Sequence, residues 1–386
     1  WKKTITITYN ANGGSGAPSA QSGTAYMNYA GATIGADITI STTKPTRTGW
    51  TFQNWNTQNN GSGTTYGAGE TIKISDNTTL YAIWTINKYY IDLNMIVDGT
   101  TYGSGYNDRI TVGLKVDGKD QGYVEDYYQQ HPYGTTWEIY GVKLDGVEVE
   151  YTSSGSVGTG NVSLKPEFNT IKFNANNTSY GTLSSSELII VKGGTYSTSG
   201  STLTLSDGRK VTASPTNATG YTTIFTGWSP ASGTVNSATT ITANFSRTIN
   251  SYTVTYDYKT NGGTSSTKET ATVNYGTAID LSPTATKAGY VFVGWNTNKD
   301  ATKGLSSLTM QTSNVTLYAI FKKDIIATFK YYNNETDIVS KTIFNNVTSA
   351  EITSPNIENE SKDSLTYTGR GWSTVYTANA NIELTA

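Results

Sequence analysis

The sequence predicts a mainly β protein, α+β at most, built as a tandem array of small modules. Three observations carry that reading: a strand-rich, turn-rich composition, a repeated closing strand, and a repeated aromatic motif ending in tryptophan. Hydrophobic residues are 35% of the chain and charged residues 15%, both low for a cytosolic enzyme. In their place stand Thr, Ser and Asn, with 39 Gly and 28 Tyr among 386 residues. Thr and Tyr suit a pleated, half-buried strand, and Gly and Asn suit the turns between strands.

The closing strand comes first. Leu80-Tyr81-Ala82-Ile83-Trp84 recurs as Leu317-Tyr318-Ala319-Ile320-Phe321, more loosely as Ile241-Thr242-Ala243-Asn244-Phe245, and most weakly as Leu164-Lys165-Pro166-Glu167-Phe168. Residues i, i+2 and i+4 are apolar or small, the period of a half-buried strand, with Pro166 the misfit. The closing aromatics Trp84, Phe168, Phe245 and Phe321 are 84, 77 and 76 residues apart, each step the size of a small domain. The predicted modules are therefore 2–85, 86–169, 170–248, 249–324 and a truncated 325–386, its last strand missing or supplied elsewhere. Trp1 reads as the closing aromatic of a preceding module, and the chain as a segment of a longer protein.

After each closing aromatic runs an opening strand, such as Ile5, Ile7, Tyr9 or Val254, Tyr256, Tyr258 on one face. Asn12-Gly13-Gly14 and Asn261-Gly262-Gly263 follow, where positive φ is cheap, predicting a hairpin at the start of each module. The third element is Gly49-Trp50-Thr51-Phe52-Gln53-Asn54-Trp55, matched by Gly289-Tyr290-Val291-Phe292-Val293-Gly294-Trp295. Thr219-Gly220-Tyr221 leading to Gly227-Trp228 and Gly369-Arg370-Gly371-Trp372 are its divergent forms. The tryptophan is expected to plug the core, because so small a module buries only about 60% of its unfolded surface. Residues 86–169 lack this motif and carry Tyr133-Gly134-Thr135, an echo of Tyr275-Gly276-Thr277.

These motifs, in the first and fourth modules, resemble the Listeria–Bacteroides repeat, the B-repeat of internalin-type surface proteins. The resemblance implies a β-grasp-like fold in which a sheet wraps a short helical or loop segment. It also implies tandem arrays on secreted or cell-surface proteins, and no catalytic residues. A cysteine-free β protein fits a Gram-positive surface. The connectors Thr85-Ile86-Asn87 and Arg247-Thr248-Ile249-Asn250 are too short to bend freely, so the array is expected to form an elongated, semi-rigid rod.

Little else suggests chemistry. With no cysteine, disulfides, thiolate metal sites and cysteine nucleophiles are excluded. His131 is the one histidine, in a Pro- and Gly-punctuated stretch, and reads as structural. Acid pairs such as Glu125-Asp126 or Glu148 with Glu150 have no distinguishing spacing. Asp117-Gly118 and Asp207-Gly208 read as hairpin turns before calcium loops. Lys2, Lys3, Lys172 and Lys330 lie in opening strands, where an isopeptide cross-link to Asn would need apolar surroundings. No cofactor or metal is expected. Formal net charge is −2, so nucleic acid and anionic membrane are not expected partners, and no apolar run reaches the roughly 18 residues of a membrane span.

The candidate ligand contacts are the paired tyrosines Tyr89-Tyr90, Tyr127-Tyr128 and Tyr331-Tyr332, since one member of each pair must face outward on a strand. Outward tyrosines suit a host or bacterial surface glycan or protein. The sequence therefore predicts a monomeric, non-catalytic extracellular stalk or adhesin segment. The alternative is a carbohydrate-binding appendage of a secreted enzyme.

Overall fold

A computed structural model describes residues 1–103, 105–330, 336–355, 360–362, 365–367 and 375–385. Strands make up 59% of it, and there is no helix among the described residues, so the chain is all-β. It divides into two compact units. The first comprises Trp1–Asn176, Leu183–Ser214 and Gly227–Asn244; the second comprises Asn177–Thr182, Pro215–Thr226 and Phe245–Ala386.

In the first unit, the opening strand Lys2–Asn10 pairs antiparallel with Gln21–Met27 and parallel with the closing strand Thr78–Ile86. The closing strand then pairs antiparallel with Trp50–Asn56, the Gly-aromatic strand. Alternation does the sorting: Ile5, Ile7, Leu80 and Ala82 point inward and close around the fully buried Trp55, with Tyr9, Phe52 and Trp84 at the margin. The tryptophan plug expected from the sequence is present. The expected tight hairpin is not, because ten residues separate the first two strands. Asn12 and Gly13 adopt positive φ of 47° and 86°, but they begin a long loop.

The same parallel pairing of opening with closing strand recurs four times. Lys88–Leu93 lies beside Val162–Leu164, and Glu167–Ala175 beside Thr239–Ile249. In the second unit Ser251–Asp257 lies beside Val315–Lys330, which in turn lies beside Ile382–Thr385. That last pair corrects one expectation. The fifth module has its closing strand, short and without an aromatic, and Ile382 and Leu384 pack on its core. Its motif Gly369-Arg370-Gly371-Trp372 lies outside the described residues.

Pro166 explains the weakest closing strand. Lacking an N–H, it interrupts the ladder between Val162–Leu164 and Glu167–Ala175. The divergent second module is distinguished by added strands. Ile110–Val116 and Thr136–Leu144 form the centre of a sheet with Lys119–Val124, Val147–Val149 and Ser153–Ser156. Asp98-Gly99, Asp117-Gly118 and Asp145-Gly146 turn three hairpins there, each pair at positive φ in both residues. Trp1 also changes role. Its carbonyl accepts from Met27 N, a register three residues past the closing aromatics, where Asn87 and Asn250 stand in later modules.

Candidate functional site

The outward tyrosines were the sequence's site prediction, and strand geometry sorts them. Lys88–Leu93 and Tyr128–Pro132 are antiparallel, with Tyr90 opposite Gln130 and Tyr128 opposite Asp92. Tyr89 faces in, packing against the second module's core. Tyr127 is buried, and its hydroxyl lies 2.8 Å from His131 Nε2. Burial raises the Tyr127 phenol and lowers the His131 imidazole, so the neutral pair is favoured. Tyr90 and Tyr128 face out and stack on each other, centroids 4.2 Å apart and planes 11° apart. Each ring covers one face of the other, leaving the outer face of Tyr128, 64% exposed, as the open aromatic surface. Tyr331 and Tyr332 lie outside the described residues.

A second constellation was not foreseen. Asn87 is the single residue between the closing strand of the first module and the opening strand of the second. Its N donates to Gly49 O (2.9 Å), its Oδ1 accepts from Thr51 Oγ1 (2.6 Å), and its carbonyl accepts from Tyr133 N (2.8 Å). The Tyr133 ring lies against Gly49, at φ 78°, where an added Cβ would come within 2.1 Å of Cγ. The second unit repeats every part. Asn250 N donates to Gly220 O (2.9 Å), its Oδ1 accepts from Thr222 Oγ1 (2.7 Å), and its carbonyl accepts from Tyr275 N (2.9 Å). Tyr275 lies against Gly220, at φ 77°, with the same exclusion of a Cβ. The sequence held the signal in two repeated triplets, Thr-Ile-Asn and Tyr-Gly-Thr, that are far apart in the chain and meet only through folding.

The other junctions use different chemistry. Between the second and third modules, Arg209, with 9% of its side chain exposed, donates to Asp207 (2.7 Å), Asp145 (3.3 Å) and the carbonyls of Leu144 and Ile189. Arg109 donates to the same Asp145 (2.6 Å) and to Glu187. Asp207-Gly208 is thus a turn whose carboxylate holds an arginine. Between the fourth and fifth modules, Val291 replaces the hydroxyl donor and Asp324 the asparagine. Asn345 serves there instead, its Nδ2 donating to Lys299 O (3.0 Å) and Ala301 O (2.9 Å).

Among the described residues no group of three or more His, Cys, Asp or Glu is placed to hold a metal. Lys3 and Lys330 sit in surface ion pairs with Asp76 and Glu383, away from the apolar surroundings an isopeptide bond needs. Glu125 has its carboxyl raised chiefly by the charge of Asp108.

Comparison with known families agrees with the repeated core. Residues 6–83 and 252–320 each match the Listeria-Bacteroides repeat domain. These are the two modules with the complete Gly-aromatic-x-Phe-x-x-Trp motif. No curated protein matches the chain. Such repeats occur in bacterial surface and extracellular proteins. Over its first and fourth modules, therefore, this chain is a Listeria–Bacteroides repeat protein.

Proposed function

We propose that the chain is a non-catalytic stalk segment of an extracellular bacterial surface protein, spacing or presenting a binding region. We read each module as β-grasp-like, with its parallel opening and closing strands side by side, and the array as an elongated rod. The observation that carries this reading is the junction built on Asn87 and again on Asn250. A single connecting residue is held by three hydrogen bonds while a tyrosine fills the glycine's open face. Such a junction resists bending and has no catalytic purpose. Small-angle scattering of the chain in dilute solution tests it. A rod of about 150–200 Å gives a radius of gyration of about 45–55 Å, and a compact chain of this length about 21 Å. The small value sinks the stalk reading.

A second reading is favoured by Tyr128 alone: a carbohydrate-binding appendage that uses the stacked Tyr90–Tyr128 pair. An aromatic with one open face next to Asp92 and Gln130 suits the C–H face of a sugar ring. Under this reading Tyr128→Ala abolishes saturable binding on a glycan panel, and a panel without any binding dismisses it.

A further inference from the structure

The second module also carries a cavity that the tyrosine reading does not use. It measures about 590 Å³, within the range of about 300–1,000 Å³ that small-molecule sites occupy. Lys115, Thr136, Trp137, Glu138, Ser153 and Ser154 are among its lining residues. It lies on the sheet that distinguishes this module, where Ser153–Ser156 pairs with Thr136–Ile139. The corresponding part of the first module is only a two-stranded ladder, Ala36–Thr39 with Thr71–Ile74.

Three features make this concavity. The edge strand Ser-Ser-Gly-Ser has no side chain longer than serine, and all four residues are exposed, so nothing on it covers the neighbouring strand. Gly155 stands opposite Trp137, and a Cβ there would come within 2.7 Å of the indole Cζ2, so the ring needs that glycine. The Trp137 indole N–H finds no acceptor among the described residues. An unsatisfied buried donor costs about 1–3 kcal/mol, a cost that a ligand oxygen removes.

The lining chemistry specifies the ligand. Lys115 Nζ lies 3.7 Å from Glu138 Oε2, so the single cation and the single anion offset each other. Around them stand the hydroxyls of Thr136, Thr152, Ser153 and Ser154, each able to donate and accept. A phosphate or sulfate would face Glu138 unopposed, and a purely apolar ligand would strand the hydroxyls. We propose that this cavity binds an uncharged saccharide. Glu138 and Lys115 serve as acceptor and donor for vicinal hydroxyls, and Trp137 forms the apolar wall. This inference does not depend on the stalk reading, and it concerns a different site from Tyr128.

Saturation-transfer NMR on the full chain tests it, with cellotetraose, maltotetraose and chitotetraose as probes. The expected result is saturable transfer to at least one probe, weakened about tenfold or more by Glu138→Gln and abolished by Ser154→Arg, which fills the cavity from an exposed position. Both variants change exposed side chains, and an unchanged melting curve for each keeps the reading clear of misfolding. Binding must also survive Tyr128→Ala. No transfer to any probe overturns the proposal, as does transfer undiminished in both cavity variants. Transfer lost in Tyr128→Ala but kept in the cavity variants assigns the sugar to the tyrosines and overturns it equally. The scattering measurement is unaffected by any of these outcomes, so failure here and failure of the stalk reading remain separate.

Discussion

Asn12 and Asn261 show how much one side chain can determine in these modules. Asn12 Nδ2 donates to Asn59 O (2.7 Å) and Ala82 O (2.9 Å), tying the loop after the opening strand to the tryptophan loop and the closing strand. Asn261 Nδ2 does the same with Lys299 O (2.8 Å) and Ala319 O (2.9 Å). The sequence showed both asparagines only as turn formers. Their reach across 70 and 58 residues depends on which strands pack together. Asn261→Ala leaves two carbonyls without a donor and should cost about 1–3 kcal/mol, read from a chemical denaturation midpoint. His131 gives a second test at this scale. Burial depresses its folded pKa below the unfolded value of about 6.5, so the fold favours the neutral ring. That contribution is complete above about pH 6.5 and is lost as the pH falls from there to the folded pKa. Thermal melts of His131→Gln should lack this acid-side loss while the unchanged chain shows it. Identical pH profiles would refute the assignment.

At the scale of elements, the junctions are the chief finding. In Gly49→Ala and Gly220→Ala the new Cβ meets a tyrosine ring and the backbone stays at positive φ, so each should cost about 2–4 kcal/mol. Tyr133→Ala removes the ring without straining the glycine. Spin labels placed on the first and second modules should then report a broader distance distribution, with the far-ultraviolet circular dichroism spectrum unchanged. An unbroadened distribution would show that hydrogen bonds to Asn87 suffice. The Arg209 network behaves differently, because its charge is nearly buried. Arg209→Ala strands Asp145 and Asp207 and should cost about 3–5 kcal/mol by denaturation, far more than loss of the surface pair Lys3–Asp76. Strand order was largely legible at this scale. Period-2 alternation located the opening and closing strands, and the tryptophan motif located the strand between. The junction quartets were not, because alternation reports which face is buried and not which turn meets which residue.

For the whole molecule, the cores are separate clusters, one around Trp55 in the first unit and one around Trp295 in the second. Calorimetry should accordingly resolve more than one unfolding step. Trp295→Ala, at about 3–5 kcal/mol, should lower one transition and leave the Trp55 transition in place. A single transition displaced as a whole would mean the cores unfold as one. By itself the sequence determined the module count, the all-β class, the tryptophan plugs and the family of two modules. Those properties follow from local periodicity and from motifs repeated in the chain, which need no knowledge of contacts. Tertiary structure alone decided which tyrosines face outward together, that the last module closes with Ile382–Thr385, and that Asn87 and Asn250 are junction centres. It also decided that Ser153–Ser156 leaves Trp137 and Glu138 beside an open cavity. Each of these depends on residues distant in sequence coming within a few ångströms, and that proximity is set by strand register and packing, which no local pattern encodes.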